Sequence, residues 1–292
     1  MTRVIAPSLL LFGVMCAWAE PPKLPPREGR AIPETADKGM RQEQTASAVV
    51  GGVPLAAVLF RNPAKNLNKL AVYATLKGKS YLVYTHPSFI DRLKFDPALP
   101  GQGFLDLFAD GSRAIVYHAT TPGLNTRTLY VLRCQGPRVR RVGSFPQGEL
   151  RALRGAGRPV IVSQTLALGR YFSVGCENFY AMSQNAYQTR IYEWRKGDFI
   201  DASTKFPDFF AEKIKGLEDR LALIPKEKQP GEYLGGVVAL YYDYAAQGRP
   251  RQGWNRLSSL LKPPPYAFPK LSACLSQVQA DLRRKLDIPP DW

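Results

Sequence analysis

The segment Asp106-Leu107-Phe108-Ala109-Asp110-Gly111 comes nearest to a metal loop in this 292-residue chain. Calcium loops set carboxylates at positions one, three and five, with a glycine next for the sharp turn. Asp106 and Asp110 take the first and fifth positions, but Phe108 takes the third and cannot ligate. Two carboxylates hold a hard cation far more weakly than three. The spacing therefore favours a plain Asp-Gly turn into a strand at Ala114-Ile115-Val116-Tyr117, with Asp106 and Asp110 kept only as a degenerate calcium loop.

Acid–base chemistry has few candidates. There are two histidines, His86 and His118, and neither has a second histidine at a ligand spacing. Thr85-His86-Pro87-Ser88 reads as a strand end turning at a proline. His118 follows an apolar strand and reads as a core or edge residue. The sequence lacks His-Glu-x-x-His, a Gly-x-Ser-x-Gly elbow, a P-loop and a Gly-x-Gly-x-x-Gly after a strand. Glu149, Glu177 and Asp201 could supply the acid pair that glycoside hydrolysis needs, although nothing in the sequence sets their separation. No catalytic residue and no cofactor is assigned.

The elements that would position these residues are β-rich first and helical later. Three hairpins follow one another, each with β-branched or aromatic runs around a glycine turn. They are Leu70–Ala74 with Tyr81–Tyr84, Leu129–Leu132 with Val139–Val142, and Ile191–Trp194 with Phe199–Ile200. Their turn glycines, Gly78, Gly136 and Gly197, are 58 and 61 residues apart. Further strands fit between them at residues 114–117 and 159–163, and residues 48–62 read as a strand or strand pair. Each period thus holds about four strands, the way propeller blades are built. Residues 48–207 have room for about three such units.

The Asp106–Gly111 loop followed by the strand Ala114-Ile115-Val116-Tyr117 resembles the loop-and-strand unit of integrin-type FG-GAP or VCBS repeats. Residues 191–202 are similar to the closing hairpin of exported bacterial proteins of that type. The resemblance spans roughly residues 66–206. It implies a propeller that binds carbohydrate or protein partners. The missing middle aspartate departs from the pattern, as does the presence of a single Asp-Gly loop.

Beyond Pro207 apolar residues fall at helical spacing in four runs: Phe209–Leu221, Tyr233–Ala245, Trp254–Leu261 and Leu271–Leu286. Short breaks rich in proline and glycine separate them. Tyr241–Pro250 followed by Trp254 is similar to the turn of one tetratricopeptide helix pair. The expected class is α+β: a β-rich domain of propeller-like four-strand units over 48–207, then a small helical bundle over 208–292.

The amino terminus predicts export. Arg3, an apolar run to Ala19 and the small residues Ala17 and Ala19 before Glu20 form a signal-peptidase pattern, with cleavage between Ala19 and Glu20. Met15 is not the small residue that a lipoprotein signal places before its cysteine, so a soluble product is favoured over lipidation at Cys16. Residues 20–47, with five prolines among polar residues, read as a disordered tether. No later stretch is long and apolar enough to span a membrane. Export permits a disulfide, and Cys134 with Cys176 is the expected pair because both lie in the β-rich part. Cys274 is left over in a helix.

The net charge is +16, which favours anionic partners. The densest clusters are Arg138-Val139-Arg140-Arg141 and Arg283-Arg284-Lys285, and neither makes the long stripe typical of nucleic-acid binding. The expectation is a secreted or periplasmic, non-enzymatic protein that binds a protein or an anionic cell-envelope polymer and not nucleic acid. The alternative is an exported hydrolase with a glycosidase-like carboxylate pair.

Overall fold

A computed structural model describes residues 39–97, 103–123, 126–169, 171–173, 180–182, 186–224, 230–262 and 269–292. The expected signal peptide and most of the expected tether, with Cys16, Cys176 and Glu177, lie outside the described residues.

Three four-stranded antiparallel sheets follow one another along the chain. Sheet I is a simple meander of β1 (Arg41–Val50), β2 (Val53–Asn62), β3 (Leu67–Leu76) and β4 (Lys79–Ser88). Sheet II repeats that order with β5 (Arg92–Phe95), β6 (Arg113–Thr121), β7 (Thr126–Gln135) and β8 (Arg138–Pro146). Sheet III contains β9 (Glu149–Arg151), β10 (Val160–Thr165), β13 (Gln188–Arg195) and β14 (Asp198–Asp201). A separate hairpin of β11 (Tyr171–Ser173) and β12 (Tyr180–Met182) is inserted before β13.

The glycine period therefore marks the same hairpin, third strand to fourth, in every sheet. At two of these turns both central residues have positive φ: Lys77 (51°) with Gly78 (74°), and Lys196 (50°) with Gly197 (92°). That is the twist a two-residue hairpin requires, and glycine in the second position reaches it without a side-chain clash.

The sheets stack face to face. Leu55, Leu59, Leu70 and Val72 of sheet I meet Ile115, Tyr117 and Leu132 of sheet II. The opposite face of sheet II sets Val116, Leu129, Val131 and Phe145 against Ile161, Tyr192, Trp194 and Phe199 of sheet III. Sheets II and III are thus covered on both sides, which explains why Ala114-Ile115-Val116-Tyr117 is continuously apolar and fully buried.

Four helices complete the fold: α1 (Pro207–Leu223), α2 (Pro230–Ala246), α3 (Pro250–Leu260) and α4 (Pro269–Lys285). Each opens on a proline, where the missing N–H costs no helical hydrogen bond and the fixed φ suits the first turn. Phe206 and Phe210 cover the free face of sheet III with Val160, Val162 and Ile191. The bundle has its own core around Leu234, Val237, Val238, Trp254, Leu257, Leu275, Val278 and Leu282, and Phe172 of the inserted hairpin joins it. The fold is α+β, with four-strand units followed by helices. Among the described residues no helix is long and apolar enough to cross a membrane.

Two expectations need correction. The first strand begins at Arg41, inside the stretch read as tether. As an edge strand it has much of its length exposed and so tolerates the polar run Arg41-Gln42-Glu43-Gln44-Thr45. The Cys134–Cys176 pairing also fails, because Cys134 is a free, buried thiol in the core between sheets I and II. Burial in that apolar core pushes its thiol up to about 12. Cys274, expected to be left over, is disulfide-bonded.

Candidate functional site

The exposed turns of the three sheets assemble a basic rim. In a meander the first and third turns share one end. Sheets I and II meet there, since a β-carbon at Gly51 in the β1–β2 turn would lie 3.7 Å from the Gly136 nitrogen in the β7–β8 turn. The third turns carry Lys77 and Lys79 on sheet I, Arg138 and Arg140 on sheet II, and Arg195 and Lys196 on sheet III, all exposed. Each of the three sheets thus presents a basic pair at its third turn. Arg195 is paired with Glu193 at 2.8 Å. Arg141, the next cation of the β8 cluster, turns to the other face, where its guanidinium lies 5.5 Å from the Tyr130 ring.

A cleft of about 500 Å³ opens between sheet III and α1. Gln147, Glu149 and Arg151 line one side, Gln164 the floor, and Phe209, Glu212 and Lys213 the helical side. Glu149 accepts from Arg151 at 2.9 Å and from Arg127 at 2.7 Å. The Arg151 hydrogen bond, helped by Arg127, holds its carboxyl below the usual glutamate value against the opposing effect of partial burial. Lys213 donates to Asp243 of α2 at 2.6 Å. Asp243 is 0% exposed, and its second oxygen has no hydrogen-bond partner. Burial pushes its carboxyl up, and Lys213 pulls it back. This buried carboxylate, which pins an amine at the cleft wall, was not expected from the sequence, where Asp243 is the one acid in the helical run Tyr241-Tyr242-Asp243-Tyr244.

A second hollow, of about 580 Å³, lies between the edge strands β1 and β5 and includes Gln42, Gln44, Lys94 and Asp96. Gln44 reaches across it to accept from the Phe95 amide at 3.0 Å. Asp96 is held from below by His118 at 2.6 Å, and both are buried. His86 shares a 2.8 Å hydrogen bond with the Tyr117 hydroxyl, in a cluster where Tyr117 stacks on Tyr130. Burial, and to a lesser degree Arg141, lowers the His86 imidazole below its ordinary value. The two histidines thus sit in separate clusters, His118 as a buried partner of a carboxylate and His86 as part of an aromatic packing group.

The loop with calcium spacing serves a different purpose. Asp106 is paired with Arg113 at 3.0 Å, and Asp110 accepts from the Ser112 amide at 3.0 Å and from Arg133. Phe108 is buried between sheets II and III, with its ring 4.7 Å from Trp194. The third position is aromatic because it is a core residue, and arginines occupy the flanking carboxylates. Asp201 caps the turn after β14 by accepting from the Ser203 amide at 2.9 Å. Glu149 on β9 and Asp201 on β14 lie at opposite edges of sheet III and are not brought together as a facing pair.

Comparison with protein-family models, with curated proteins and with solved structures finds no match to this chain.

Proposed function

We propose that the protein is an exported, non-enzymatic binding protein of the cell envelope whose basic rim engages an anionic polymer or an acidic protein surface. The carrying observation is the recurrence of an exposed basic pair, Lys77 with Lys79, Arg138 with Arg140 and Arg195 with Lys196, at the third turn of each sheet. Cations closer than roughly a Debye length add their potentials along an extended anion. The proposal includes an FG-GAP- or VCBS-like ancestry for roughly residues 66–206, supported by the four-strand units.

Binding to polyphosphate and to vesicles containing anionic lipid, measured over a salt series, tests the reading. The combined variant Lys77→Glu, Arg138→Glu, Arg140→Glu and Lys196→Glu is expected to lose binding. A control reversing Lys215, Arg251 and Lys285, all exposed on the helices, is expected to keep it. Equal loss in both variants, or binding indifferent to salt, would overturn the rim as the site.

The hydrolase alternative draws on Glu149 and Glu212, which share the cleft. A glycosidase acid must hold a proton near neutral pH, which needs a raised carboxyl. Glu149 is shifted the opposite way by its arginines and is suited to orienting a ligand rather than protonating one.

A further inference from the structure

The short connection from sheet I to sheet II, Ser88-Phe89-Ile90-Asp91, turns two adjacent apolar side chains outward. Phe89 is 67% exposed and Ile90 65%. Single exposed apolar residues are ordinary, but a contiguous pair held in place marks a contact surface. This pair is held in place. The Asp91 amide donates to Ser88 Oγ at 2.9 Å, and that hydroxyl donates to one Asp91 carboxylate oxygen at 3.2 Å. Thr121, at the end of β6, donates to the other oxygen at 2.6 Å. The turn is thereby tied to both sheets and presents Phe89 and Ile90 ready-made, which lowers the entropy cost of a contact.

The strand register sets what surrounds the pair. The β3–β4 ladder ends at Asn68 opposite Ser88, so Phe89 continues beside the β2–β3 turn, where Pro63, Ala64 and Lys65 are exposed. On the other side Arg92 begins β5 opposite Thr120 and is exposed as well. Cations therefore flank the apolar pair on both sides. The acid of the turn, Asp91, has its carboxylate drawn inward by two hydroxyls. The basic rim is elsewhere: the ten residues of β4 separate this turn from Lys77 and Lys79, about 30 Å away.

We propose that this turn docks on an anionic lipid bilayer, with Phe89 and Ile90 entering the headgroup layer and Lys65 and Arg92 meeting the lipid phosphates. Apolar side chains rimmed by cations match that layer in both respects, since the acyl boundary takes the first and the anionic surface attracts the second. Size favours a bilayer over a protein partner. A stable protein interface takes about 20–30 residues on each side, whereas a bilayer needs only the tip to enter. The contact is peripheral and does not depend on the rim.

Vesicles of phosphatidylcholine with phosphatidylglycerol test this on the full-length chain. In the Phe89→Trp variant the added indole emission is expected to shift to the blue on vesicle addition and to be quenched by brominated lipid. The double variant Phe89→Ser, Ile90→Ser is expected to lose at least about ten-fold in vesicle affinity. Its binding to polyphosphate, which has no apolar layer, is expected to stay unchanged, so the result is separable from that of the rim. Leu82→Ser, an exposed leucine in the middle of β4, serves as the control and is expected to bind vesicles as the native chain does. An unshifted and unquenched indole, or equal vesicle affinity in the double variant, would overturn the proposal. So would equal binding to phosphatidylcholine alone, which would remove the role of charge. Self-association of the native chain that the double variant abolishes, without vesicle binding, would assign the pair to a second copy instead.

Discussion

Lys213 and Asp243 join α1 to α2 through a 2.6 Å charged hydrogen bond, with the carboxylate fully buried and the amine at the wall of the cleft. The two ends are unequal, since the lysine can reach water and the aspartate cannot. Lys213→Met, which strands a buried charge, is expected to cost about 3 kcal/mol. Asp243→Asn keeps an acceptor and frees an amine that can turn into the cleft, so it is expected to cost about 1 kcal/mol. The pH dependence separates the two. Without Lys213 the folded-state carboxyl rises further above its unfolded value. The stability of that variant is then greatest below the ordinary aspartate range and falls as pH climbs through the raised value. Denaturant titration at several pH values should show the penalty of Lys213→Met growing with pH, whereas Asp243→Asn shows no such trend.

Gly253 brings α3 close to α2. A β-carbon there would lie 2.7 Å from Tyr244 Cβ and 3.1 Å from the Tyr241 carbonyl oxygen. Gly253→Ala is expected to destabilise by about 1–3 kcal/mol through overpacking. Gly216 in α1 has open space at the same position, and Gly216→Ala is expected to gain about 0.5–1 kcal/mol from reduced unfolded-state entropy. Opposite shifts in Tm for the same chemical change would confirm that crowding decides the sign.

Phe108 packs against Trp194, and Arg133 lies 5.4 Å from the same indole ring. Phe108→Ala is expected to cost about 3–5 kcal/mol. Added calcium is expected to leave the Tm of the native chain unchanged. A calcium-dependent rise of several degrees would mean that Asp106 and Asp110 leave their arginines to bind the cation.

Cys134 is expected to resist alkylation until the chain unfolds, because its thiol is buried and raised to about 12. Peptide mapping without reduction should show Cys134 free and Cys274 in a linked peptide. Cys16 and Cys176 are the other cysteines of the sequence, and the mapping identifies which of them is joined to Cys274. Detection of a Cys134 crosslink would contradict the buried-thiol assignment.

Repetition made the sheets legible in the sequence. Gly78, Gly136 and Gly197 mark turns with a demanding backbone, and the apolar runs around them could only be strands buried on one or both faces. The helices were legible because Phe210, Ile214, Leu217 and Leu221 recur at helical spacing, and because proline opens each helix. The start of β1 was hidden, since an edge strand can be polar and looks like a linker. The site was harder to read than the fold. Lys77, Arg138 and Lys196 are ordinary turn residues until the sheet order shows that each sits at the third turn of its sheet. Asp243 gains its meaning from Lys213, thirty residues away in another helix. Glu149, chosen from the sequence as a possible acid, proved to be held by Arg127 and Arg151, and no local pattern announces that pairing.

The face-to-face arrangement of the three sheets also bears on how the molecule loses its structure. Sheet II touches neighbours on both sides, whereas sheet I and the helices each terminate the row. Stability in such an array is close to a sum of unit and nearest-neighbour terms, and the end units protect those inside. Fraying should therefore begin at an end and advance inward, sheet by sheet. The Val116–Leu129–Ile161 interface should be the last to exchange its amides.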